Sequence, residues 1–69
     1  MKIKVLVGFN ARRKLSDGTI NGFIPINPGE YTAKNNQDGY LEIQRQDGSS
    51  GFISLDTFEK LISNSGITL

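Results

Sequence analysis

The chain has 69 residues, a formal net charge of +1, 8 glycines, and neither cysteine nor histidine. One domain at most fits this length, close to the lower limit for a self-sufficient core. The missing residue types exclude disulfide staples and thiolate metal sites, remove the commonest general base and metal ligand, and so argue against zinc and most nucleophilic triads.

Lys2 to Phe9 alternates. Ile3, Val5, Val7 and Phe9 fall on one face, Lys2, Lys4 and Leu6 on the other, as expected of a half-buried strand. Its apolar part is too short for a secretory signal, and no apolar run approaches a membrane span, so a cytoplasmic protein is expected. Asn10 to Gly22 is polar and carries Arg12-Arg13-Lys14, Ser16-Asp17-Gly18 and Asn21-Gly22. The Asp-Gly and Asn-Gly pairs are turn signals, and they fit either an open loop or a two-stranded excursion with Asp17-Gly18 at its tip. Phe23-Ile24-Pro25-Ile26 reads as a short strand. Pro25 has no N–H to donate, so this strand is expected at an edge or with a break.

Asn27-Pro28-Gly29-Glu30 predicts a type II turn, with Pro and Gly at its central positions. Glu30 to Asn35 follows as a strand with Tyr31 and Ala33 inward. A turn through Asn35-Asn36-Gln37-Asp38-Gly39 leads into the hairpin that organises the chain.

That hairpin runs Tyr40 to Gln46, turns at Asp47-Gly48-Ser49 and returns through Gly51 to Leu55. Strand side chains alternate between faces. Leu41, Ile43, Ile53 and Leu55 form the core face, and Tyr40, Glu42 and Phe52 fall opposite. A one-residue slip would turn one apolar set outward. The connection must therefore hold an odd number of residues or a bulge, with Gly48 or Gly51 supplying a positive φ. A three-residue loop would set Ile43 against Ile53 and Leu41 against Leu55.

After Leu55 the period changes. Asp56 is the expected helix N-cap with Glu59 as its capping-box partner, and Phe58, Leu61 and Ile62 share one helical face. Asn64-Ser65-Gly66 stops the helix. Ile67-Thr68-Leu69 is β-prone and either pairs with the first strand or frays. The layout predicts a mainly β protein, a small barrel of about five short strands with one short C-terminal helix.

Three pieces carry a family resemblance. Phe9-Asn10-Ala11-Arg12 is similar to the Leu-Asn-Val-Arg opening of the bacterial SH3-like (SH3b) domain. Ile26-Asn27-Pro28-Gly29-Glu30-Tyr31 is similar to the element before its middle strand. Gly39-Tyr40-Leu41-Glu42-Ile43 and Asp47-Gly48-Ser49-Ser50-Gly51-Phe52-Ile53 resemble its Gly-Trp-x-x-Val and Asp-Gly-x-x-Gly-Trp-Val pair. Tyr40 and Phe52 stand where the family has Trp, Arg13-Lys14-Leu15 replaces its Ser-Gly-Pro, and the helix is extra. The resemblance implies a single SH3-like domain over residues 1–69 that binds partners through aromatic-lined grooves without catalysis.

Site candidates follow. Asp17, Asp38 and Asp47 precede glycines, which is turn chemistry, and no carboxylate spacing forces convergence. Gly48-Ser49-Ser50-Gly51 lacks the lysine of a phosphate loop. No enzyme activity and no cofactor are expected. Tyr40, Phe52, Glu42 and Phe23 are the candidate protein-binding residues: rings grip an extended peptide, and the edge strand near Phe23 accepts a strand. Glu42, Asp38 and Asp47 beside the rings favour a basic partner segment. The first 14 residues hold five bases and no acid, and the rest holds three bases and seven acids. Arg12, Arg13 and Lys14, with Phe9, are thus the alternative nucleic-acid site, against which the acidic remainder counts. The leading expectation is a bacterial or phage accessory protein that modulates a larger partner; a structural subunit of a phage or other assembly is a further alternative.

Overall fold

The computed structural model describes residues 1–14, 17–36 and 39–69. Ser16, Gln37 and Asp38, read above as turn residues, and Leu15 lie outside the described residues. The elements are β1 (Lys2–Val5), β2 (Phe9–Lys14), β3 (Ile20–Ile26), β4 (Gly29–Asn35), β5 (Tyr40–Gln44), β6 (Ser50–Ser54), α1 (Leu55–Ser63) and β7 (Ile67–Thr68). All seven strands belong to one antiparallel sheet, ordered β3-β2-β6-β5-β4-β1-β7. The protein is therefore mainly β with one short helix. The ladder does not close into a barrel, because β3 and β7 remain its edges. The sheet still serves one core: Ile24 and Ile26 at one edge pack in the same cluster as Ile3, Val5 and Ile67 at the other. No helix among the described residues is long and apolar enough to cross a membrane.

The first strand is shorter than its alternation predicts. The N–H groups of Leu6 and Val7 both donate to the Gly66 carbonyl, at 2.8 and 3.3 Å, and this bends the chain out of the ladder. Val7 is consequently 62% exposed rather than inward, and Phe9 opens β2 instead of closing β1. Asn10 to Gly22 is the two-stranded excursion, since β2 and β3 pair from Phe9↔Ile26 to Lys14↔Ile20. β3 pairs with β2 alone, so Pro25 sits on an edge, where its missing donor costs no ladder bond. The corner at Asn27-Pro28 is present and is braced by the Tyr31 hydroxyl, which donates to the Asn27 carbonyl at 2.6 Å. It is not a type II turn: Gly29 has φ 152°, far from the roughly +80° that turn needs.

In the central hairpin the parity argument holds and the register does not. Arg45 N–H donates to the Ser49 carbonyl, leaving Gln46-Asp47-Gly48 as the loop, with Gly48 at φ 90°. The odd loop is thus one residue earlier than expected. Leu41 faces Ile53 and Ile43 faces Gly51, not Leu55 and Ile53. Leu41, Ile43 and Ile53 are buried; Leu55 has left the ladder to begin α1 and is only half-buried. Asp47 moves the loop because its carboxylate accepts from the Ser49 hydroxyl and, at 2.9 Å, from the Ser49 N–H. Those bonds hold its carboxyl below the usual carboxylate range.

The helix begins earlier than the acidic pattern suggests. Its N-cap is Ser54, whose Oγ accepts from the Thr57 N–H at 3.1 Å, and Asp56 lies in the first turn. Phe58 is buried and Leu61 packs against the core, while Ile62 is 37% exposed. The helix closes in a Schellman motif: Gly66 N–H donates to the Leu61 carbonyl at 2.7 Å and Ser65 N–H to the Ile62 carbonyl at 3.1 Å. The left-handed residue is Ser65, at φ 60°, not Gly66. A Cβ in that conformation costs about 1 kcal/mol or more. Ser65→Gly should therefore raise stability by about 0.5–1 kcal/mol in a denaturant titration. An unchanged or lowered midpoint would refute this account of the cap. Ile67 then pairs with Val5 and is buried, so the last strand joins the first rather than fraying.

Candidate functional site

Neighbouring registers align a single row of side chains across five strands on the face away from the core. Lys34 lies opposite Glu42, Glu42 opposite Phe52, Phe52 opposite Arg12, and Arg12 opposite Phe23. Directly opposed residues on one face lie close enough for their side chains to interact. The row therefore gathers, from β2, β3, β5 and β6, four residues that the sequence singled out separately.

Their roles differ. Phe52 is only 5% exposed yet stands outside the core cluster. Its ring is covered from the solvent side, with Lys14 Nζ 5.5 Å from the ring centroid. Phe23 is 63% exposed, and Arg12 Cζ lies 5.3 Å from its centroid. Such stacking fixes a cation over a ring face and contributes about 0.5–1 kcal/mol at an exposed site. Tyr40, half-buried, comes in from the start of β5. Phe23, Tyr40 and Phe52 together line a cleft of about 280 Å³, with Asn10, Arg12, Ile53, Ser54 and Thr57 completing its walls. Phe52 is thus a floor rather than an outward grip, and Phe23 is the one ring freely presented.

Glu42 is next to Phe52 in the register but does not line the cleft. Its carboxylate accepts from the Ser50 hydroxyl at 3.0 Å. The triplet Arg12-Arg13-Lys14 is strand, not loop, and alternation splits it. Arg12 and Lys14 share the cleft face, whereas Arg13 lies opposite Gly51 with its guanidinium against Gly22. Phe9 packs on the core and takes no part. Asn10 entered the sequence reading only within the Phe9-Asn10-Ala11-Arg12 piece, and nothing there marked Ser54 or Thr57 as site residues. Only the Ser54-x-x-Thr57 spacing, a cap signal, was there to be read.

Carboxylates do not converge. Asp17 accepts from the Thr19 N–H at 2.9 Å, which holds its carboxyl below the ordinary range, and Asp47 is bound within its own turn. Among the described residues no group of three acidic, histidine or cysteine side chains is placed to hold a metal ion. The arrangement offers rings, the Arg12 guanidinium and hydroxyls in a shallow concavity, with Lys14 beside it over the Phe52 ring.

Compared with known proteins, the chain matches no protein-family model, no curated protein and no solved structure.

Proposed function

We propose that this protein is a non-catalytic binding module with an SH3-like arrangement of strands, and that it grips an extended segment of a larger protein in the cleft between the β2–β3 hairpin and α1. One observation carries the reading. Phe23, Tyr40 and Phe52, far apart in sequence, converge on one cleft outside the core. Rigid rings give contact area at little entropic cost, and recognition sites concentrate their energy in such anchors. The SH3-like reading is supported by the β4–β5–β6 meander, by the β2–β3 hairpin laid against β6, and by β7 returning to pair with β1.

Phe23→Ala tests the reading cleanly. The ring is mostly exposed, so stability should change by no more than about 0.5 kcal/mol. Capture of a partner by the immobilised protein should fall by tenfold or more, as expected when an anchor worth about 2 kcal/mol is truncated. Equal capture by the wild type, Phe23→Ala and Tyr40→Ala would remove the cleft from any binding role.

A second reading, single-stranded nucleic acid, is favoured by Arg12 and Lys14 sharing the ring-bearing face. It predicts a steep loss of oligonucleotide affinity with salt.

A further inference from the structure

The cleft has a sign. Arg12 and Lys14 stand two residues apart on one strand and stack on Phe23 and Phe52. Neither is in an ion pair among the described residues, where Arg45 and Asp47, 3.7 Å apart, form the salt bridge that is seen. Both cations are therefore held over rings, exposed and, among the described residues, uncompensated. The described acids lie elsewhere. Asp47 is at the β5–β6 tip, Glu30 is on β4 opposite Lys4, Asp17 is beyond the end of β2, and Asp56 and Glu59 line a separate depression on α1. Glu42, the acid nearest in register, is outside the cleft and bonded to Ser50. Of the acids that favoured a basic partner on sequence grounds, Glu42 and Asp47 do not line the cleft, and Asp38 lies outside the described residues.

We propose that the occupant of the cleft is an acidic extended protein segment. One of its carboxylates meets Arg12 and Lys14, and an adjacent apolar side chain rests between Phe23 and Tyr40 over the Phe52 floor. The proposal rests on the protein-binding reading above and adds the chemistry of the partner. Arg12 presents a planar fork suited to a carboxylate, and stacking on Phe23 limits the entropy lost when it binds.

A polyanion fits less well. The cationic strip spans about 7 Å, since two strand residues rise by roughly that distance. Arg13, between the two cations, is turned to the other face. Beyond them, Glu42 follows in the row on one side and Asp17 follows β2 at the other end. A phosphate backbone longer than two nucleotides would run onto carboxylates, whereas a short acidic peptide need not.

Panning a display library of random dodecapeptides on the immobilised full chain tests this. The readout is the composition of the enriched peptides and their affinity as synthetic, fluorescent probes. Asp and Glu next to an aromatic or aliphatic residue should be enriched. The best probe should bind Phe23→Ala and the Arg12→Gln, Lys14→Gln double variant about tenfold more weakly or worse. These positions are exposed, so unchanged circular dichroism and melting of the variants will show that the fold is intact. Enriched peptides that are basic or neutral, yet still lost on Phe23→Ala, would overturn the acidic occupant and keep the binding cleft. No peptide sensitive to Phe23→Ala would overturn both. Oligo(dT) binding as tightly as the best peptide, with a log–log salt slope well beyond the roughly 1.4 of two single-strand phosphate contacts, would replace the protein occupant with nucleic acid.

Discussion

Ile43→Ala is expected to unfold most of the protein near body temperature. Ile43 is fully buried at the middle of β5, and its cross-strand neighbours on the core face are Ala33 and Gly51. The substitution would leave three small residues abreast. No flanking side chain in that row can lean in to fill the space, so the cost belongs near the top of the roughly 2–5 kcal/mol range for a buried Ile→Ala change. A chain this short has a total stability of about 3–10 kcal/mol. The loss is thus comparable to the whole. In a small domain each kcal/mol shifts the melting point by about 4–8 °C, so thermal circular dichroism should show a drop of roughly 15 °C or more. A drop under about 5 °C would mean that the row is not packed as described. Ile43→Val removes one methylene and should cost only about 0.5–1.5 kcal/mol, which separates cavity formation from any general intolerance of change at β5.

What could be read from the sequence divides along the range of the physics. Period-two alternation is a local property, and it placed Ile3, Val5, Ala33, Leu41, Ile43 and Ile53 inside correctly. The edge position of β3 followed from a single missing donor at Pro25. The failures share a cause: a competing hydrogen bond made at a distance or by a side chain. The Gly66 carbonyl, remote in sequence, claims Leu6 and Val7 and ends β1 early. Asp47 and Ser49 move the hairpin loop one residue earlier and shift the register by two. Ser54 outcompetes Asp56 as the cap because the strand delivers it with extended backbone angles, φ −68° and ψ 156°, at the junction.

The site was legible as a set of residue types and not as a place. Tyr40, Phe52, Glu42, Phe23, Arg12 and Lys14 all stood out by chemistry, and two opposed readings grew from them. The sequence offered aromatic protein-binding residues and a basic nucleic-acid loop as alternatives. The sheet order merges them, because β2 pairs with β3 on one side and β6 on the other, which inserts Arg12 between Phe23 and Phe52. That insertion is a pairing of strands some 40 residues apart, and no local rule specifies it. It also underlies the proposal of an acidic rather than a basic partner segment.

Gly51→Ala should also destabilise, less severely and by the opposite mechanism. Gly51 was read as a supplier of positive φ, but its importance is steric. A Cβ there would lie 2.7 Å from the Ala11 Cβ, 3.0 Å from Ile24 Cγ2 and 3.3 Å from Ile26 Cδ1. The first of these contacts decides the outcome. The Ala11 Cβ has no rotamer to change, so relief requires β2 to move away from β6 where Arg13 pairs with Gly51. Overpacking of this kind costs about 1–3 kcal/mol, and the general gain from replacing a strand glycine offsets at most about 1 kcal/mol of it. A fall in melting temperature of several degrees is expected. The same movement would carry Arg12 and Lys14 out of line with Phe52, so the binding proposed for the cleft should weaken at temperatures where the variant is still folded. Ala11→Gly supplies the control. Combined with Gly51→Ala it removes the opposing Cβ, and the double variant should recover much of the loss, giving a coupling of about 1 kcal/mol or more between residues in direct contact. Additive losses in that cycle would show that the two strands are not pressed together at this point, and the alignment of Arg12 over its rings would lose its cause.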